Sequence, residues 1–374
     1  MYQVGFIIEQ VLGHITHTRN LQQTIPLDPE IQAHWGPVPY AIEGISARLP
    51  FYRNWTLRGG LRARRILQTM ASQTRLDRLF FHTQVPATLC LDWVRRIPSI
   101  VSLDATPLQY DELGLVYAHR KSTPTIELLK WRLSRSVFSA AAHLVTWSAW
   151  ARQGLIQGYQ VAPERITVIP PGVVSADWQA PLPRQLHPGP LKLLFVGGDF
   201  ERKGGKLLLE AHRQLYPQTE LHLVTRDEVA TEAGVFVYHG MQPNSSALKQ
   251  LYFDSDVFVL PTYGDCLPLV LAEAGAAGLP TLATRVAAIP EIVRESETGL
   301  LIPVGDAAAL TNALRTLLAQ PTLRLQLGAN AAQYIATHHD SRTNGLRLAE
   351  LLKAQHWAQP AGSGLVDPHA APLA

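Results

Sequence analysis

Between Pro261 and Pro280 the chain reads PTYGDCLPLVLAEAGAAGLP, which sets Asp265 in a turn-forming stretch and Glu273 eight residues later in a helical one. Val257 to Leu260 form a β-branched and apolar run that predicts a buried strand, closed by Pro261 and the Gly264-Asp265 turn pair. Pro268 can open the next helix, because its missing N–H would be unpaired there anyway, and Leu269 to Ala277 continue it to a stop at Gly278 and Pro280. Cys266, Leu267, Pro268 and Leu269 then form a helix start, where free backbone N–H groups near Cys266 and Leu267 suit an arriving anion. Carboxylates on each side suit the neutral hydroxyls of a sugar or ribose. The competing reading makes Asp265 a turn or cap residue and Glu273 a solvated helix position.

A second stretch, FVGGDFERKGG from Phe195 to Gly205, supplies cations. Leu191 to Val196 predict a strand, Gly197 and Gly198 allow close backbone approach, and Arg202 and Lys203 precede a glycine-rich helix start. Neither G-x4-G-K-[ST] nor G-x-G-x-x-G occurs at this strand, so the run is not one of those phosphate loops. Its cations serve either a diphosphate or the solvated surface.

These residues must be held by α/β architecture. Tyr2 to Ile8, Leu79 to Phe81, Ile100 to Leu103, Leu144 to Thr146 and Arg165 to Ile169 read as strands of one half. Leu191 to Val196, Glu220 to Val224, Val235 to Tyr238, Val257 to Leu260 and Thr281 to Ala283 read as strands of another, with helices such as Lys206 to Gln214 and Ser246 to Phe253 between them. Near-continuous apolar strands alternating with helices predict parallel sheets, whose ligands bind beyond the carboxyl ends of the strands. Domains are expected at 1–179 and 191–340, with a linker at 180–190, a helix at 341–357 and a loose Pro/Gly/Ala-rich tail at 358–374.

Composition bounds the rest. A length of 374 residues at 47% hydrophobic supports two cores. A formal charge of +3 demands no nucleic acid, although Arg62-Arg64-Arg65 and His119-Arg120-Lys121 are local basic clusters that fit an anionic surface or a solvated helix face. Cys90 and Cys266 are the only cysteines, which argues against a disulfide framework and for a reduced, cytoplasmic setting. No secretory leader is expected before Tyr2, and no apolar run reaches about 18 residues. Peripheral membrane contact stays open. The 14 histidines include the trio His338-His339-Asp340, but no H-E-x-x-H or Cys/His spacing accompanies it, so no metal site is expected.

Four blocks in order, ITVIPPGV at Ile166 to Val173, the Phe195 to Gly205 run, HGMQPNSS at His239 to Ser246, and Pro261 to Thr284 followed by IPEIV, make the chain resemble the retaining glycosyltransferases of GT-B fold, family 4. The resemblance implies two Rossmann-like domains with parallel sheets facing a central cleft, and a last helix, here Ser341 to His356, crossing back onto the first domain. It implies transfer of a hexose-type sugar from a nucleotide sugar, UDP- or GDP-linked, to a hydroxyl of a glycan, lipid-linked or small-molecule acceptor. Neither a cofactor nor a metal is implied, so EDTA is expected to cost little activity.

By that resemblance Asp265 faces the donor sugar, Glu273 the ribose hydroxyls and Lys203 the diphosphate, while Asn244 lies in a loop near the base. Asp265 replaces the commoner glutamate. Many relatives carry arginine where this chain has Gly198, and Arg202 is the neighbouring candidate to compensate. Gly13 and His14 follow the opening strand, where relatives have a glycine-rich loop, and Asp104 stands near a place where many carry histidine. Asp104 either orients an acceptor hydroxyl or forms a turn before Pro107. His82, Thr83 and Gln84 form another polar strand end, and Glu291 is either a donor-side acid or a helix-start residue. These departures leave two alternatives: a donor-binding partner without transferase activity, and a sugar-nucleotide epimerase.

Overall fold

The computed structural model describes residues 1–11, 13–41, 54–114, 116, 121–179, 188–230 and 232–354. Two six-stranded sheets carry the fold, and every strand pairs in parallel with its neighbours. The first runs β2-β1-β3-β4-β5-β6, from β1 (Tyr2–Gln10), β2 (Ile31–Pro39), β3 (Arg78–His82), β4 (Ser99–Leu103), β5 (His143–Thr146) and β6 (Ile166–Val168). The second runs β12-β11-β10-β7-β8-β9, from β7 (Leu191–Val196), β8 (Thr219–Val224), β9 (Val235–Tyr238), β10 (Val257–Leu260), β11 (Thr281–Thr284) and β12 (Gly299–Ile302).

Alternation along the first sheet divides its core. Ile7, Phe81, Val101 and Leu144 pack on one face, and Val4, Phe6, Ile8, Phe80 and Ile100 on the other. Leu348, Ala349 and Leu352 of the helix Ser341–Lys353 cover the second face, so the chain returns from the second sheet to the first. Lys353 fixes that helix through Asp28 at 2.8 Å and Glu30 at 2.9 Å. The Pro-Pro-Gly run has a packing role here: a Cβ on Gly172 would fall 1.7 Å from the carbonyl oxygen of His339.

Two strands lie outside the sequence expectation, and both are edge strands. β2 contains Gly36, Pro37 and Pro39, residues tolerated where one side of the ladder is unpaired. A side chain at Gly36 would collide with Ile66 and Met70 of the helix Trp55–Gln73, which packs close at that point. β12 is only four residues long.

The basic cluster at Arg62 and Arg64 is occupied internally. Arg62 donates to the carbonyls of Pro39 and Ala41, and Arg64 pairs with Asp92 at 2.6 Å. His119, Arg120, most of the linker (180–187) and the 358–374 tail lie outside the described residues, and the last described helix ends at Lys353.

Candidate active site

The loops after β7 and β10 meet because Gly204 lets them. It adopts φ +80°, and a Cβ there would fall 2.0 Å from the carbonyl oxygen of Pro261. The Tyr263 N–H donates to the Arg202 carbonyl at 2.9 Å, locking the two loops together. Lys203 consequently reaches Asp265: its Nζ donates directly to Asp265 Oδ2. Arg202 is 3.9 Å from the same oxygen, and donates to the Gly264 carbonyl at 2.7 Å and to Asp199 at 3.0 Å. Both cations and the acid are 9–15% exposed, so the group opens on the cleft through a narrow face.

Pro268 sits one position earlier than expected. With φ −73° and ψ 118° it is the extended cap of the helix Leu269–Ala276, not its first turn. Cys266 and Leu267 are buried just before it, and the Cys266 carbonyl accepts from Ala288 N–H. Glu273, fifth in that helix, is not a solvated surface acid: it is buried and accepts from the Tyr252 hydroxyl at 2.8 Å. Burial pushes its carboxyl up to about 7, against the opposing pull of Tyr252, Lys249 and Lys203.

Gly197 and Gly198 differ. A Cβ on Gly197 would crowd Phe195 and Lys203 at 3.0–3.2 Å, whereas Gly198 has room for one. Asn244, at φ +63°, spans the two halves: its amide donates to Asn20 Oδ1 at 3.2 Å. Ser245 caps the helix Ser246–Asp254 through Leu248 N–H. The Glu291 carboxylate is engaged by the first half. Its two carboxylate oxygens accept the N–H groups of Ala149 and Trp150, each at 2.7 Å, and so clamp the start of the helix Ala149–Tyr159 from the other half.

Across the cleft, the carboxyl ends of β1 and β4 assemble a second charged group. His14, in the first turn of the helix Gly13–Thr24, lies 3.5 Å from Glu9 and 3.6 Å from Asp104. Glu9 also accepts from the Tyr40 hydroxyl at 2.5 Å, and Asp104 Oδ1 from Ala105 N–H at 2.9 Å. Burial depresses the His14 imidazole, but the paired carboxylates of Asp104 and Glu9 outweigh it and raise it to about 10. Burial likewise opposes the Asp104 charge, and the His14 imidazolium more than offsets it, holding the acid below its ordinary range.

Behind them His17 is lowered to about 3 by burial and by the His14 charge, and His82, stacked on Trp147 at 5.0 Å, is also held neutral. Thr83 caps the short helix Gln84–Ala87, so its hydroxyl is committed to Val85 N–H. Gly13 has open space beside it, with nothing within 4 Å of an added Cβ.

Tyr110 stands in the helix Pro107–Glu112, which follows Asp104. Its partly buried hydroxyl is raised to about 12, chiefly by desolvation. Gly264 also packs against Val116 of the first half, which an added Cβ would meet at 3.2 Å. Sequence reasoning missed Glu9, Tyr40 and Tyr252: each is an ordinary strand, turn or helix residue until the fold brings its partner up. Among the described residues no cluster of three His, Cys, Asp or Glu has the arrangement of a metal site.

Residues 190–320 match the family described as Glycosyl transferases group 1, and residues 26–176 match Glycosyltransferase Family 4. A D-inositol 3-phosphate glycosyltransferase of Pseudarthrobacter chlorophenolicus is 27% identical over 234 residues, covering 57% of this chain and 56% of that protein. The putative colanic acid biosynthesis glycosyltransferase WcaL of Escherichia coli is 31% identical over 225 residues, 55% of this chain and 54% of the relative. The chain spans about half the length of the curated relatives it matches. Among solved structures, sucrose-phosphate synthase of Thermosynechococcus elongatus superposes with TM-score 0.74 at 17% identity, over 94% of this chain and 98% of that one. Anabaena Alr3699/HepE in complex with UDP and glucose gives 0.70 at 15%, over 95% and 100%. At these identities the structures establish the fold.

Proposed function

We propose, for a chain that belongs to the GT-B-fold glycosyltransferases related to family 4 and group 1, that it transfers a hexose-type sugar from a UDP- or GDP-sugar to an acceptor hydroxyl with retention at the anomeric carbon. The observation that carries this reading is the Lys203–Asp265 pair. A cation and an acid are fixed together before a helix start, beside Gly264, which packs against Val116 of the first half, and the Asp104–His14–Glu9 group stands at the carboxyl ends of that half's strands.

In this reading Lys203 and Arg202 stabilise the charge that grows on the diphosphate as the bond to the sugar breaks. Asp265 orients the sugar, and Glu273, behind the helix start, takes the ribose hydroxyls. Asp104 accepts a hydrogen bond from the incoming hydroxyl, its carboxylate kept ionised by His14. Attack comes from the face the phosphate leaves, so no protein nucleophile is assigned. The acceptor is a glycan, a lipid-linked saccharide or a small polyol.

The test is incubation with UDP-, GDP- and ADP-sugars and hydroxyl acceptors, followed by mass spectrometry and NMR of the new anomeric centre. Nucleotide release with a glycosylated product of unchanged anomeric configuration is expected, and persists in EDTA. Tight donor binding without turnover would instead favour a partner protein, and conversion of donor without acceptor an epimerase.

We place the protein in the cytoplasm, a reading supported by the buried thiols of Cys90 and Cys266, neither in a disulfide, and at an anionic membrane face. Among the described residues no helix is long and apolar enough to cross a membrane. The helix Pro124–Ala140, however, turns Ile126, Leu129 and Leu133 to solvent in one stripe, with Lys130 and Arg132 flanking it.

A further inference from the structure

Parallel pairing of β7 with β8 puts Val196 opposite Val224, so Gly198 and Arg226 each stand two residues beyond the same rung of the ladder. The consequence is a close approach. The three atoms nearest to a Cβ built on Gly198 all belong to Arg226: Nε at 3.5 Å, Cδ at 3.7 Å and Cζ at 3.8 Å. The guanidinium therefore lies over the backbone of Gly198, where any long side chain from that position would have to start.

The loop holding it is fixed. Asp227 Oδ2 accepts from Phe200 N–H at 2.7 Å, which ties the residue after Arg226 to the loop after β7. Asp227 N–H bonds Thr225 Oγ1 at 3.2 Å, and the Thr225 carbonyl pairs with His239 Nδ1 at 3.0 Å. On the other side of the Gly197-Gly198 pair stands Lys203, whose Cγ is 3.1 Å from a Cβ position on Gly197.

The cations around this backbone are not equally free. Lys203 is held by Asp265, and Arg202 by Asp199 and Gly264. Arg226 is exposed and, among the described residues, has no ion-pair or hydrogen-bond partner. An unpaired guanidinium lying beside a bare glycine backbone, on a fixed loop at the carboxyl end of a parallel sheet, offers a planar fork of donors to an anion.

We propose that Arg226 binds the diphosphate of the nucleotide-sugar donor across Gly198, delivered by the loop after β8 into the space that the glycine leaves open. The proposal rests on the nucleotide-sugar reading and adds a binding residue to it. It also gives the Gly198 departure a physical reason: the cation reaches the same ground from the neighbouring strand, and a side chain at 198 would compete with it for room.

The test is calorimetry of the full chain with UDP, GDP, uridine and guanosine at low salt, on the wild type, R226A, K203A and the double variant G198R/R226A. R226A should weaken whichever diphosphate binds by about tenfold, as expected for one charge-assisted bond in a partly solvated site, and leave the nucleoside unchanged. G198R/R226A should recover to within about threefold of the wild type, because the replacement arginine enters the vacated space. Unchanged diphosphate affinity in R226A, or equal losses for diphosphate and nucleoside, would overturn the proposal while K203A still reports on the donor site. A double variant as weak as R226A would overturn it too. If the wild type binds neither UDP nor GDP, the proposal falls together with the nucleotide-sugar reading.

Discussion

The Glu273 carboxyl gives the most demanding prediction, because its environment acts on stability and ligand binding at once. Burial raises it from 4.5 to about 7. At about 1.4 kcal/mol per pH unit, that displacement corresponds to roughly 3 kcal/mol between the two protonation states. The sign follows from linkage: the folded protein holds the proton more tightly than the unfolded chain, so the contribution of the neutral acid is complete below about pH 4.5 and is lost as pH rises through 7.

E273Q stays neutral and keeps an oxygen for the Tyr252 hydroxyl. Its melting temperature should lie within a degree or two of the wild type at pH 5 and above it at pH 8.5. For a unit the size of the second half, roughly 3 kcal/mol amounts to about 6–12 °C. Scanning calorimetry of both proteins, compared at each pH so that other groups cancel, measures the gap.

Ligand adds a second readout. Ribose hydroxyls donating to Glu273 favour its ionised form, so UDP or GDP binding near pH 7 should release a fraction of a proton, seen as a buffer-dependent binding enthalpy that E273Q lacks. A wild-type to E273Q gap constant from pH 5 to pH 8.5 would refute the buried-acid argument, and an identical buffer dependence in the two proteins would remove Glu273 from the ribose.

Three further outcomes are expected. D265N should leave bare UDP or GDP affinity within about threefold and cut transfer at least tenfold, as the proposed contact with the sugar end requires; equal, small effects of D265N and E273Q on binding and rate would return both acids to structural roles. E291A removes two charge-assisted bonds worth about 1.5–3 kcal/mol each, so the Ala149 and Trp150 amides should exchange at least tenfold faster by hydrogen-exchange NMR, and unaltered protection would dismiss the clamp. The triple variant I126S/L129S/L133S should lose co-sedimentation with vesicles containing anionic lipid while keeping its fold, and equal binding by both proteins would rule out the apolar stripe as the contact.

Most strands and the glycine and proline punctuation were legible because they depend on local chemistry. β1, β3, β4, β5, β7, β8, β9, β10 and β11 are short apolar runs bounded by turn residues, and such runs can hide only in doubly covered parallel sheets. Asp265 and Lys203 could be picked out for the same reason, each following a strand at the end where parallel sheets bind. β2 was not legible because Gly36, Pro37 and Pro39 interrupt it, residues its unpaired outer side tolerates, and β12 was not legible either, although the edge strands β6 and β9 were.

What the sequence determined by itself was the alternation of elements and the chemistry available after each strand. Which groups meet was decided by tertiary structure. His14 becomes an imidazolium only because β1 and β4, some ninety residues apart in sequence, bring Glu9 and Asp104 to its two sides. Glu273 becomes a raised, buried acid only when Tyr252 and the second core close around it. Glu291 turns from a helix-start residue into a clamp between halves, and Arg226 becomes the neighbour of Gly198 through the β7–β8 register. Charge and hydrogen bonding act over a few ångströms with strength set by burial, and neither distance nor burial across the chain is written in local spacing.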